Sequence, residues 1–245
     1  MGIHVLTTPR IYVGEYDLSG DMNAVASTYS GEPQDNTTFG LTTRTVQGGL
    51  KKVTFSAEGY WSGGDDEVDD ALFSKINVAD VPVTLVPEGE TIGNDCYSFR
   101  CLTSEYSPFA GGTVGEMLRF SVSAEGSGGT GPVRGTLFHV GSETSSGTET
   151  KVQIGAVAAG ESLYAALHVL TVSGTDPTLD VLVRSDADAG AGGESTRITF
   201  TQATGITSEW KSVAGAITDE YWDVSFTIGG TNTPTFEFVL SVGII

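Results

Sequence analysis

From Leu118 to Glu125 apolar and polar side chains alternate without a break, Leu118, Phe120, Val122 and Ala124 against Arg119, Ser121, Ser123 and Glu125. A period of two puts one set on each face of an extended chain, so the stretch predicts a half-buried β-strand. The glycine-rich GSGGTGP and then VRGTLFHVG follow, which predicts a hairpin over 117–140. The end of the chain repeats this plan. Trp222, Val224, Phe226 and Ile228 alternate with Asp223, Ser225 and Thr227, before GGTNTP and the returning TFEFVLSVG.

A single offset aligns Thr103-Ser104-Glu105-Tyr106 with Thr207-Ser208-Glu209-Trp210, Glu116 with Glu220, and Leu118, Phe120 and Val122 with Trp222, Val224 and Phe226. A duplicated fold would keep its inward register in this way, although two unrelated hairpins also share alternation and glycine turns. Between the patterned regions, SETSSGTET at 142–150 has no apolar side chain and reads as a linker. The expected fold class is therefore all-β, with two tandem β-sandwich-like domains, the first carrying one flanking helix. Residues 1–141 form the first domain and 151–245 the second, a partial repeat. The 33 glycines and the 18% charged fraction suit strands joined by tight turns.

The first half carries extra apparatus: an N-terminal arm, the loop GEPQDNTTFG, a strand pair around TTRTVQGGLKKVTFSAEGYW, and the helix DDEVDDALFSKI. In that helix Val68, Leu72 and Ile76 recur every four residues, acids fill the first turn and Lys75 lies near the end. No stretch approaches the length of an apolar membrane span, and MGIHVLTTPR lacks the apolar region of a signal peptide. No membrane insertion and no leader are expected.

Thirty-one acidic residues against 12 basic give a net charge of -19, which repels nucleic acid and anionic lipid. That charge suits solubility, a surface past which DNA moves without sticking, or adaptation to high salt. Cys96 and Cys101 sit on opposite faces of a strand, without metal-ligand spacing or a nearby histidine, and read as buried free thiols. Gly126, Gly128 and Gly131 spell GxGxxG, but Pro132 and a strand follow where a dinucleotide site needs a helix. Asp186, Asp188 and Glu194 are weak candidates for a calcium-binding turn, and an exposed acidic loop is the plainer reading. His4, His139 and His168 stand in no catalytic order. Tyr16, Tyr60, Trp61 and Trp210 would suit a carbohydrate or cell-surface adhesion module, the alternative function. No enzyme activity, catalytic residue or cofactor is expected.

YDLSGDMNAV, the stretch ending DNTTFGLTTR, GGLKKVTFSAEGYW, the helix leading into DVPVTLVPEG, and TVGEMLRFSVSAEGSGG leading into VRGTLFH together resemble the major tail tube proteins of long-tailed, siphovirus-like viruses. The resemblance covers residues 10–140. It implies a β-sandwich subunit with a flanking helix, made in the host cytoplasm and built into a virion tail. Self-association into stacked rings would follow, hexameric rings being favoured and a trimeric pseudo-hexamer the alternative. The other implied partners are further tail proteins and genomic DNA, which passes through the lumen without specific binding. On this resemblance the ring-stacking candidates are the N-terminal arm and Glu32, Gln34, Asp35, Asn36, Thr37 and Phe39.

Overall fold

The computed structural model describes residues 6–64, 67–190 and 192–245, and its fold is all-β with a single helix. In chain order the strands are β1 (Arg10–Val13), β2 (Tyr16–Asp17), β3 (Met22–Asp35), β4 (Val46–Tyr60), β5 (Val81–Val86), β6 (Asp95–Ser107), β7 (Arg119–Gly126), β8 (Val133–Glu143), β9 (Gly147–Thr148), β10 (Val152–Gln153), β11 (Ser162–Asp186), β12 (Ser195–Thr199), β13 (Thr207–Ala214) and β14 (Tyr221–Ile244). The helix α1 (Val68–Ser74) precedes β5.

Two compact units are drawn from interleaved segments. The larger comprises 1–20, 81–99 and 133–245, and the smaller comprises 21–80 and 100–132. The boundary expected at 142–150 is thus not where the chain divides. Ser142 and Glu143 end β8 against Glu237 and Phe236, and β9 pairs with Phe226 and Ser225. SETSSGTET lacks apolar residues because it runs along the surface of a sheet, where its side chains meet water.

In the larger unit β11 and β14 pair antiparallel along nearly their whole length, from Leu163↔Ile244 to Asp186↔Tyr221. The pairing is irregular only between Val169 and Thr178. There Gly174, Asp176, Gly230, Asn232 and Thr233 all have positive φ, which glycine adopts without strain and Asn and Asp tolerate best. The two-stranded ribbon bends as a whole at this point. GGTNTP is therefore not the hairpin turn that the sequence suggests: β14 passes through it still paired to β11. Leu163, Leu167, Phe236 and Phe238 on one half then face Val181, Val183, Trp222 and Val224 on the other in one buried cluster. The result is a sandwich built from a folded ribbon, with β13 and β8 extending one layer and β12 the other.

The smaller unit is a sheet in the order β3, β4, β7, β6, with α1 beside it. Phe55, Ala57, Phe120, Val122 and Ala124 are buried on one face, as the alternation requires. The expected hairpin over 117–140 does not form. β7 pairs with β4 and β6, while β8 pairs with β14 and β6, so the glycine-rich turn connects strands that are not neighbours. The strand pair read around TTRTVQGGLKKVTFSAEGYW is instead the single strand β4, paired to β3 upstream. Gly48-Gly49 runs straight through, and a side chain at Gly49 would meet the carbonyl of Glu32 at 2.4 Å.

The helix is shorter than DDEVDDALFSKI, of which Asp65 and Asp66 lie outside the described residues. Val68, Ala71 and Leu72 are buried, but Ile76 and Asn77 leave the helix to meet β6, where the Asn77 amide donates to the Thr103 carbonyl at 3.0 Å. The repeat survives only in part. Trp222, Val224 and Phe226 are buried as Phe120 and Val122 are, yet Thr103–Tyr106 pairs with β7 whereas Thr207–Trp210 pairs with β11.

Candidate assembly surface

The segment expected as the loop GEPQDNTTFG divides between two structures. Gly31–Asp35 completes β3, in register Pro33↔Gly48, Gln34↔Gln47 and Asp35↔Val46, and only 36–45 turns the chain. Of the stacking candidates, Glu32, Gln34 and Asp35 thus stand on a strand, and Asn36, Thr37 and Phe39 on the hairpin end. Met1–Val5 of the arm, with His4, lies outside the described residues.

The hairpin end is tied by polar bonds. Asp35 accepts the Thr37 amide and the Arg44 Nε, each at 2.9 Å, while the Thr37 hydroxyl accepts the Thr45 amide at 2.9 Å. Hydrogen bonds from Thr37 first, then from Arg44, hold the Asp35 carboxyl below its ordinary range. Asn36 closes the turn by donating its amide to the Thr45 carbonyl at 3.1 Å. On this frame Phe39 is fully exposed at 109%, and Leu41, Val46 and Leu50 are exposed with it. Sequence reading passed over Leu41, Leu50 and Tyr29; the signal was GGLKK, an apolar residue set among small and charged ones.

β7 covers β4 only from Thr54 to Tyr60. Toward the hairpin end the segments 29–35 and 46–53 pair only with each other, and nearly every side chain on them is exposed. Among the described residues β3 pairs with nothing but β4, so the other edge of this 14-residue strand is open. Two-stranded ribbons are marginal alone in water, and open edges are templates for further strands. Lys51 lies 5.7 Å from the centre of the Tyr29 ring, and Lys52 bonds Glu125 at 2.7 Å.

The remaining candidates are accounted for within the fold. The Lys151 ammonium sits between Asp186 and Glu194, touching the Gly190 carbonyl as well, while Asp188 accepts the Gly190 amide at 2.7 Å. A side-chain cation thus stands among the carboxylates weighed for calcium. Bonds from its own and the Gly192 amides, then from Lys151, take the Glu194 carboxyl down to about 2. His139 donates Nδ1–H to Glu149 at 2.7 Å and stacks on Phe238. His168 is fully buried; its Nδ1 must donate to the Gly14 carbonyl at 2.6 Å, so Nε2 accepts from the Thr84 hydroxyl at 2.8 Å. Cys96 and Cys101 are free and buried, and burial pushes both thiols up to about 12.

The four aromatics weighed for a sugar site divide between the two units. Trp61 donates to Asp69 and stacks on Phe109 in the smaller unit, where Arg119 covers Tyr60; Trp210 meets Tyr164 in the larger. Tyr16 pairs with Val13 in the short β1–β2 ladder. Gly126, Gly128 and Gly131 line a turn that Arg100 grips through the Gly128 carbonyl at 2.6 Å, and no helix follows.

No protein-family model matches the chain. No curated protein matches it either. A chain from the virion of a native gene transfer agent particle is similar in structure at 12% identity and a TM-score of 0.39, over 52% of this chain and 95% of its own. The Dit protein of phage SPP1, described as a hub adsorption apparatus in phages infecting Gram-positive bacteria, is similar at 11% identity and a TM-score of 0.38, over 98% of this chain and 100% of its own. A chain of the phage p2 baseplate in its activated conformation gives 11% identity and a TM-score of 0.31, over 96% of this chain and 98% of its own.

Proposed function

We propose that the chain is a structural subunit of a viral tail tube that self-associates through the β3–β4 ribbon into stacked rings whose lumen conducts DNA. One observation carries this reading: a two-stranded ribbon projects past β7 with both faces exposed, an open 14-residue edge and the bare Phe39 at its end. Such a ribbon gains its missing contacts when another copy pairs with the edge and covers the apolar end. The sequence resemblance to tail tube proteins runs through this ribbon, from YDLSGDMNAV to GGLKKVTFSAEGYW. A charge of -19 leaves few cations to hold passing phosphates. One projecting ribbon per chain among the described residues supports six chains to a ring over three. Other tail proteins would cap the stack, in a virion assembled from subunits made in the host cytoplasm.

Electron microscopy of the purified protein tests this. Rings or tubes with six ribbons around a central channel are expected in projection down the axis. Dispersed single chains at every salt concentration would overturn the proposal.

A further inference from the structure

The loop 108–118 between β6 and β7 is anchored against the end of the smaller unit's sheet. The Trp61 amide donates to the Leu118 carbonyl and the Ala110 amide to the Arg119 carbonyl, each at 3.0 Å, and Phe109 stacks on Trp61 at 6.2 Å. A turn in which the Glu116 amide donates to the Thr113 carbonyl at 2.9 Å then leads into β7. Loop and strand ends together form an open recess of about 300 Å³, lined by Tyr60, Gly111, Glu116, Met117 and Arg119. That volume stands at the lower end of small-molecule sites. Gly111 has a φ of +76° and open space where a Cβ would stand, so no side chain narrows the recess at this position.

The polar groups of the recess are unengaged. Tyr60 and Arg119 are register partners in the β4–β7 ladder and so share one face of the sheet. The guanidinium stands 5.9 Å from the centre of the Tyr60 ring, a contact that orients both. Arg10, Arg44, Arg100, Arg134, Arg184 and Arg197 each pair with a carboxylate. Arg119 pairs with none among the described residues, although exposed Glu116 lines the same recess. The Glu116 carboxylate and the Tyr60 hydroxyl likewise bond no described residue. An acceptor-only group, a donor-only group and a hydroxyl that does both therefore stand beside the apolar Met117, which is 67% exposed.

We infer that this recess takes one unit of a neutral carbohydrate. A ligand must offer donors to Glu116 and acceptors to Arg119 side by side. Adjacent ring hydroxyls do both, while the C–H face of the ring covers Met117. An anionic sugar is repelled by Glu116 and a cationic one by Arg119. An extended peptide fits less well: β4 lies between β3 and β7, and β7 between β4 and β6, so no strand edge opens at the recess for its backbone to join. The function added is adhesion to a glycan-coated surface. Each site is weak, since it holds a single ring, and repetition over many copies multiplies it. The recess lies within one chain and needs no second copy.

Saturation-transfer NMR on the full chain tests it, with the methyl glycosides of glucose, galactose, mannose, N-acetylglucosamine and rhamnose as probes at millimolar concentration. Transfer to at least one of these sugars is expected. Glu116→Ala and Arg119→Ala, both at exposed positions and checked for wild-type melting, should each weaken that binding about tenfold or more, the scale of losing a hydrogen bond to a charged group. Lys51→Ala, outside the recess, should leave it unchanged. Absence of transfer to every sugar overturns the site, as does transfer that neither substitution reduces. Stronger transfer to methyl glucuronide than to the neutral sugars overturns the neutral-ligand assignment. Transfer to N-acetyl-leucine methylamide with none to the sugars replaces it with a peptide site. None of these outcomes bears on the tail-subunit reading, which stands or falls on assembly.

Discussion

Phe226 and Phe238 lie on the same strand, β14, twelve residues apart, yet their ring centres are 5.3 Å apart in an edge-to-face pair. A straight strand would separate them by about 40 Å. They meet because β11 and β14 fold together at Gly174–Asp176 and Gly230–Thr233, bringing both halves of the ribbon to one core. Phe238 has no exposed surface and also stacks on His139. Phe238→Ala should cost about 3–5 kcal/mol, the range for truncating a fully buried phenylalanine. Urea unfolding of the larger unit's signal measures this; a loss below about 1 kcal/mol would mean that the two halves do not depend on their mutual packing.

His168 makes stability depend on pH. Burial lowers its pKa from 6.5 to about 4, against the opposing effect of the Gly14 carbonyl. The unfolded chain therefore binds a proton that the folded chain refuses. Stability from this group is complete above pH 6.5 and is lost as the pH falls from 6.5 toward 4, by about 3 kcal/mol in all. Denaturant midpoints of wild type and His168→Gln between pH 7.5 and 4.5 test it. The wild type should lose more stability across this range than the variant, and parallel losses would contradict the assignment.

Lys151 supplies the cation of the acidic loop. Its side chain is 8% exposed, as is that of Asp186. Removing it in Lys151→Met leaves Asp186 and Glu194 facing each other without a counter-charge, so the melting temperature should fall at pH 7. Glu194, held at about 2, contributes above its ordinary 4.5 and loses that contribution as the pH falls through this lower window. In the wild type, calcium or a chelator should leave thermal melting unchanged. A calcium-dependent rise would show that the loop takes an ion despite the lysine.

What was legible in the sequence was local. Alternation at Phe120–Ala124 and Trp222–Phe226 set the buried faces correctly, because the period of two is a property of each strand alone. Partner choice was not legible. GSGGTGP and GGTNTP carry ordinary turn chemistry, yet one joins strands that do not pair and the other marks a bend in a continuous ribbon. β3 escaped notice because a ribbon exposed on both faces has no alternation, and MNAVASTYSGEPQD shows none. Lys151 and Asp186 lie 35 residues apart, so no motif could join them.

Shortening the ribbon shows whether it carries the self-association. Ser30 and Lys52 pair directly, so replacing Gly31–Lys51 with Asn-Gly joins them in a two-residue turn and leaves β4, β7 and β6 in register. Sedimentation velocity compares this chain with the wild type at equal concentration. Large assemblies are expected for the wild type and a folded monomer of unchanged melting temperature for the shortened chain. Assemblies of the same size and amount from both chains would contradict it.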